Sequence, residues 1–107
     1  MLWFKMKVRV SDEQIRKYII GGALVVDVRT LQEYAKKHIS GIVNLPLVSV
    51  VKSIKSITDD KSVVILCHCD SGVRSAMAAS QLRRAGYKQS FNMGSMKRAA
   101  SILLLRE

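Results

Sequence analysis

Ser62-Val63-Val64-Ile65-Leu66-Cys67-His68-Cys69-Asp70-Ser71-Gly72-Val73-Arg74-Ser75 passes from an unbroken apolar stretch into a small polar loop. A continuous apolar run from Ser62 to Cys67 suits a strand covered on both faces, the central strand of a parallel sheet. The polar turn Thr58-Asp59-Asp60-Lys61 precedes it, and a glycine-containing loop, Cys69 to Arg74, follows. Beyond the loop, Ser75 to Ala85 reads as a helix stopped by Gly86 in the usual C-terminal position.

Working outward, the same alternation of strand and helix recurs. Apolar residues at Met6, Val8 and Val10 predict a first strand, and Ser11-Asp12-Glu13-Gln14 has the capping pattern that opens a helix to about Ile20. Gly21-Gly22 ends that helix, and Ala23 to Val28 reads as a second buried strand. Thr30 and Glu33 form another capping box, so Leu31 to Lys37 is a short helix before Gly41 and a third strand, Ile42 to Leu45, closed by Pro46. From Leu47, the apolar positions Val48, Val51, Ile54 and Ile57 recur at helical spacing. After the central fourth strand, Lys88 to Asn92 is a fifth. A last helix is expected from Ser95 to about Leu105, with Met96, Ala99, Ala100, Leu103 and Leu104 towards the core. The pattern predicts an α/β fold of three layers, with a five-stranded parallel sheet flanked by helices on both faces. Ligands in such folds sit beyond the carboxyl ends of the strands, where the loop starting at Cys69 lies.

The 107 residues suffice for one domain, 1–107, with a real core. With 49% hydrophobic residues and a single proline, the composition is that of an ordered chain. The apolar runs fall far short of the roughly 20 residues of a membrane-spanning helix. The opening Met1-Leu2-Trp3-Phe4-Lys5 lacks the apolar stretch of a secretory signal, so a cytoplasmic address is expected, with both cysteines reduced. The net charge of +10 is dispersed in pairs such as Lys36-Lys37 and Arg83-Arg84, not gathered in a block. That disfavours nucleic-acid binding and predicts a positive field that attracts small anions or an acidic protein partner. A monomer is expected.

Chemistry concentrates in Cys69-Asp70-Ser71-Gly72-Val73-Arg74-Ser75. Backbone N–H groups of such a loop, with the positive end of the following helix, can cradle an anion and stabilise a thiolate. Position at a strand end, before a Gly-containing turn, predicts that Cys69 opens into a pocket instead of packing as a small hydrophobe. Cys67, inside the strand, is expected to be core. Arg74 can brace a loop carboxylate or hold an anionic oxygen. A zinc site from His38, His68 and the two cysteines is disfavoured, because such sites need four convergent ligands at suitable spacing.

Val64 to Ser75 resembles the active-site strand and loop of rhodanese-like domains, in which cysteine, glycine and arginine follow one another at the spacing of Cys69, Gly72 and Arg74. Val25-Val26-Asp27-Val28-Arg29-Thr30 with Glu33-Tyr34, His38 to Pro46, Gly86-Tyr87 and Asn92-Met93-Gly94 resemble further segments of that family, in the same order. The resemblance implies a sulfurtransferase that needs no cofactor or metal, with Cys69 as the catalytic nucleophile carrying a persulfide. Asp70, Ser71, Gly72, Val73 and Arg74 would bind substrate, a small anionic sulfur donor such as thiosulfate, with cyanide or a thiol as acceptor. A persulfide carrier or interaction module is the alternative. Asp27, Arg29, Glu33 and His38 match positions that are mainly structural in the family. Related phosphatases space cysteine and arginine one residue further apart, so the five-position step to Arg74 favours sulfur over phosphate. Two departures stand out. Gly94-Ser95 replaces a common glycine pair, and Asp70 sets an acid beside the nucleophile, where its charge opposes anion binding if it points inward.

Overall fold

The computed structural model describes residues 10–105. In order they form α1 (Asp12–Ile20), β1 (Leu24–Asp27), α2 (Leu31–Lys36), β2 (Val43–Asn44), a 3-10 turn (Leu47–Ser49), α3 (Val50–Ile54), β3 (Ile65–Cys69), α4 (Val73–Arg84), β4 (Ser90–Ser95) and α5 (Met96–Leu105). The described strands make one parallel sheet in the order β2-β1-β3-β4. They number four, not five; the first expected strand, at Met6 to Val10, lies outside the described residues except for Val10, which is in no strand.

Two apolar clusters sandwich the sheet, and the period of 2 along β3 divides them. Ile65, Cys67 and Cys69 face one way with Val26 and Val28, and pack with Val50 and Ile54 of α3 and Ala78, Ala79 and Leu82 of α4. Leu66 faces the other way with Met93, against Ile15 and Ile19 of α1 and Ala99 and Ile102 of α5. Every residue of β3 is buried, as the unbroken apolar run requires of a strand between two others. No helix among the described residues is long and apolar enough to cross a membrane.

Several boundaries differ from the sequence pattern. Strand β3 starts at Ile65 and continues through Cys69, three residues later than Ser62 and two past Cys67. Helix α4 begins at Val73 instead of Ser75, because Gly72 adopts φ +98° and turns the chain directly into the helix. Strand β4 runs to Ser95, past the expected Asn92, after a bulge that sets Asn92 opposite Cys67 but Gly94 opposite His68. The expected helix from Leu47 to Ile57 is a 3-10 turn and five residues of α-helix, leaving Val48 on the surface. On α5, Leu104 is exposed and Ile102 is buried in its place.

Candidate functional site

The site forms where β3 ends and α4 begins. Cys69 is the last residue of β3, and its Sγ accepts the N–H of Gly72 at 3.1 Å and that of Ser75 at 3.4 Å. The Ser75 hydroxyl is also 3.4 Å from Sγ. Burial acts to raise the Cys69 pKa. The Ser75 hydroxyl and the backbone N–H groups of Ser75, Gly72 and Ser71 outweigh it and hold the thiol below the usual range. The first turn of the twelve-residue α4 adds the positive end of its dipole.

Cys69 does not open into a pocket as its position suggests; it is fully buried, with the sulfur turned onto the loop's own N–H groups. A groove of about 920 Å³ lies beside the loop, between α4 and β4, and Ser71, Gly72 and Val73 line it while Cys69 does not. Cys67, two residues back on the same face, packs as core, and burial pushes its thiol up to about 12. Alternation thus gives one strand a buried inert thiol and an acidified one.

Two glycines make the tight approach possible. A Cβ on Gly72 would stand 3.4 Å from the Cα of Gly94, and both residues have a φ near +98°, a region that side chains rarely adopt. Asn92 locks the pair: its Nδ2 donates to the Gly72 carbonyl at 3.0 Å, and its Oδ1 accepts the Gly94 N–H at 2.9 Å and the Ser75 hydroxyl at 2.6 Å.

Arg74 braces carboxylates. Its two terminal nitrogens fork onto Glu33 of α2 at 2.7 and 3.0 Å, and one lies 3.7 Å from Asp70. Glu33 also accepts the Thr30 N–H, completing the capping box of α2. Asp70 points outward, 58% exposed, with its other oxygen 3.6 Å from Arg29. Arg29 in turn grips the buried Asp27 through Nε and a terminal nitrogen, and donates to the Lys37 carbonyl at 2.6 Å. Asp27 and Arg29 are therefore the structural pair expected of them.

Of the predicted substrate-binding set, Gly72 meets the sulfur through its N–H, Ser71 lines the groove beside the loop, Asp70 and Arg74 are joined in an ion pair, and the Val73 side chain is exposed. Ser75 and Asn92 were absent from that set. Ser75 lies one helical turn into α4 and was legible as a neighbour of the loop; Asn92 reaches the site only through the sheet register. His38 stacks on Tyr34, whereas His68 is buried with neither ring nitrogen hydrogen-bonded among the described residues, and burial lowers its pKa.

Comparison with known proteins accords with this geometry. The rhodanese-like domain family matches residues 11–99. The chain is 38% identical over 90 residues to the "Putative sulfur carrier protein YrkF" of Bacillus subtilis, covering 84% of this chain but 43% of that protein. It is 32% identical over 72 residues to the thiosulfate sulfurtransferase PspE of Escherichia coli, covering 67% of this chain and 69% of PspE. Among solved structures, an E. coli rhodanese with anions superimposes with a TM-score of 0.67 at 30% identity, over 72% of this chain and 91% of that one. The human single-domain sulfurtransferase TSTD1, at 20% identity, shares the fold with a TM-score of 0.72, over 87% of this chain and 95% of its own. The chain belongs to the rhodanese-like domain family.

Proposed function

We propose that this protein is a sulfurtransferase that carries sulfane sulfur as a persulfide on Cys69. The observation that carries the reading is the set of N–H donors around Sγ, from Gly72 and Ser75, at the carboxyl end of a central strand. Relatives named as thiosulfate sulfurtransferases support sulfur transfer in general.

In the first half-reaction the Cys69 thiolate attacks the outer sulfur of a donor such as thiosulfate. A new S–S bond forms, the donor's S–S bond breaks, and sulfite leaves with the electron pair. In the second, cyanide or a thiolate attacks the terminal sulfur, and the thiolate of Cys69 is regenerated. The N–H groups of Gly72 and Ser75 point at Sγ, where the charge resides before the first half-reaction and after the second. Arg74, held by Glu33, braces the start of α4 beside the sulfur.

The test is the intact mass before and after a sulfur donor. One added sulfur atom, lost on adding cyanide and absent from Cys69→Ser, is the expected outcome; full thiosulfate:cyanide activity in Cys69→Ser would sink the assignment.

A second reading, a persulfide carrier with little turnover of its own, draws support from the similarity to YrkF and from the carboxylate of Asp70 beside the nucleophile. Stable persulfidation without multiple turnover is its signature.

A further inference from the structure

The charged groups beside Cys69 do not add up to an anion site. Asp27, Arg29, Asp70, Arg74 and Glu33 form a continuous series of ion pairs at 2.9, 3.6, 3.7 and 2.7 Å. Three carboxylates meet two guanidiniums, which leaves the series with one negative charge. Exposure sharpens the imbalance: the Arg29 side chain is 5% exposed and that of Arg74 33%, against 58% for Asp70. Both terminal nitrogens of Arg74 are committed to Glu33, and Arg29 faces Asp27 through two of its three nitrogens. The most exposed member of the series, one residue from the nucleophile, is therefore negative.

Donors differ in what they bring to that point. Thiosulfate is a dianion, and its sulfonate stays next to the reacting sulfur until sulfite departs. An alkyl persulfide, R–S–SH, releases a thiolate with one negative charge, and R can be neutral or cationic. Repulsion by a fixed carboxylate scales with the donor's charge and is strongest within a few ångströms. The overall charge of +10 acts at longer range and is more strongly screened by salt.

We infer that Asp70 is a specificity-determining residue, whose outward-pointing carboxylate meets donors as they approach the loop and selects against sulfonate-bearing ones and for alkyl persulfides with a neutral or cationic group beside the reacting sulfur. This rests on the sulfur-transfer reading above and names the donor class for it. The Cys69 thiolate attacks the terminal sulfur of R–S–SH; the new S–S bond forms as the R–S to sulfur bond breaks, giving Cys69–S–SH and R–S⁻. The proton stays on the transferred sulfur, and no external oxidant or reductant takes part.

Three donors test it: thiosulfate, cysteamine persulfide, and a short cysteine peptide carrying a persulfide, each followed by the rate of sulfur loading on Cys69 by mass. In the native protein both persulfides load faster than thiosulfate, and the faster of the two tells a small donor from a polypeptide-borne one. In Asp70→Asn the ratio of thiosulfate to cysteamine persulfide rates rises about tenfold, as expected for removing one charge near a dianion; in Asp70→Lys it rises further, and in Asp70→Glu it stays near the native ratio. An unchanged ratio in Asp70→Asn and Asp70→Lys overturns the selectivity assignment while leaving sulfur transfer intact. No loading from any of the three donors overturns the sulfur-transfer reading, and the selectivity with it.

Discussion

The Ser75 hydroxyl donates to Asn92 Oδ1 at 2.6 Å while its oxygen stands 3.4 Å from Cys69 Sγ. One proton cannot serve both partners. With Cys69 as a thiol, the S–H can donate to Ser75 and the hydroxyl to Asn92; once the thiolate forms, turning the hydroxyl onto sulfur adds a charge-assisted hydrogen bond. Ser75 thus works as a two-position donor at the edge of the N–H cradle.

Ser75→Ala removes that donor and should shift the pH profile of Cys69 alkylation upward, slowing persulfide formation roughly tenfold, the worth of one hydrogen bond to a charged group. Ser75→Thr, which keeps the hydroxyl, should restore the profile. Iodoacetamide kinetics against pH measure both.

The two thiols should separate cleanly in the native protein. Near pH 8 one equivalent of alkylating reagent should react, at Cys69, as the loop that covers its sulfur opens, while Cys67, packed in the core with its pKa pushed to about 12 by burial, reacts only after denaturation. Peptide mapping of the alkylated protein checks the assignment, and rapid native labelling of Cys67 would contradict it.

Glu33 couples the site to acid stability. The Arg74 side chain, and then the Thr30 N–H, hold its carboxyl far below the usual carboxylate range. A carboxylate depressed in the folded state contributes stability that is complete above the unfolded pKa and is lost as pH falls towards the folded one. The native melting temperature should therefore drop on acidification below about pH 4.5. Glu33→Gln should start lower at neutral pH and lose less over the same interval, as thermal unfolding between pH 7 and pH 3 would show.

The elements that were legible in the sequence owe their shape to local rules. The buried run of β3, the capping box from Thr30 to Glu33 and the loop after Cys69 each follow from residues within a few positions of one another. What escaped depends on distance along the chain. Arg74 and Glu33 are 41 residues apart, and no spacing rule pairs them. Asn92 reaches Ser75 because the register of β4 sets it opposite Cys67, and the bulge that follows brings Gly94 opposite His68; no apolar pattern records either. The burial of Cys69 departs from its position in the sequence for a similar reason. A strand end is ordinarily open, but here the chain folds back at Gly72 and closes over its own sulfur.

That closure makes the acid thiol a product of folding. Gly72 and Ser75 are within six residues of Cys69, yet they are held against it by Asn92 and Gly94, which are made later in synthesis. A nascent or unfolded chain therefore carries two ordinary thiols, and the reactive sulfur arises only after β4 docks. The acidified sulfur is reserved for molecules that have completed their fold, and a partly folded chain presents no nucleophile of unusual acidity to oxidants.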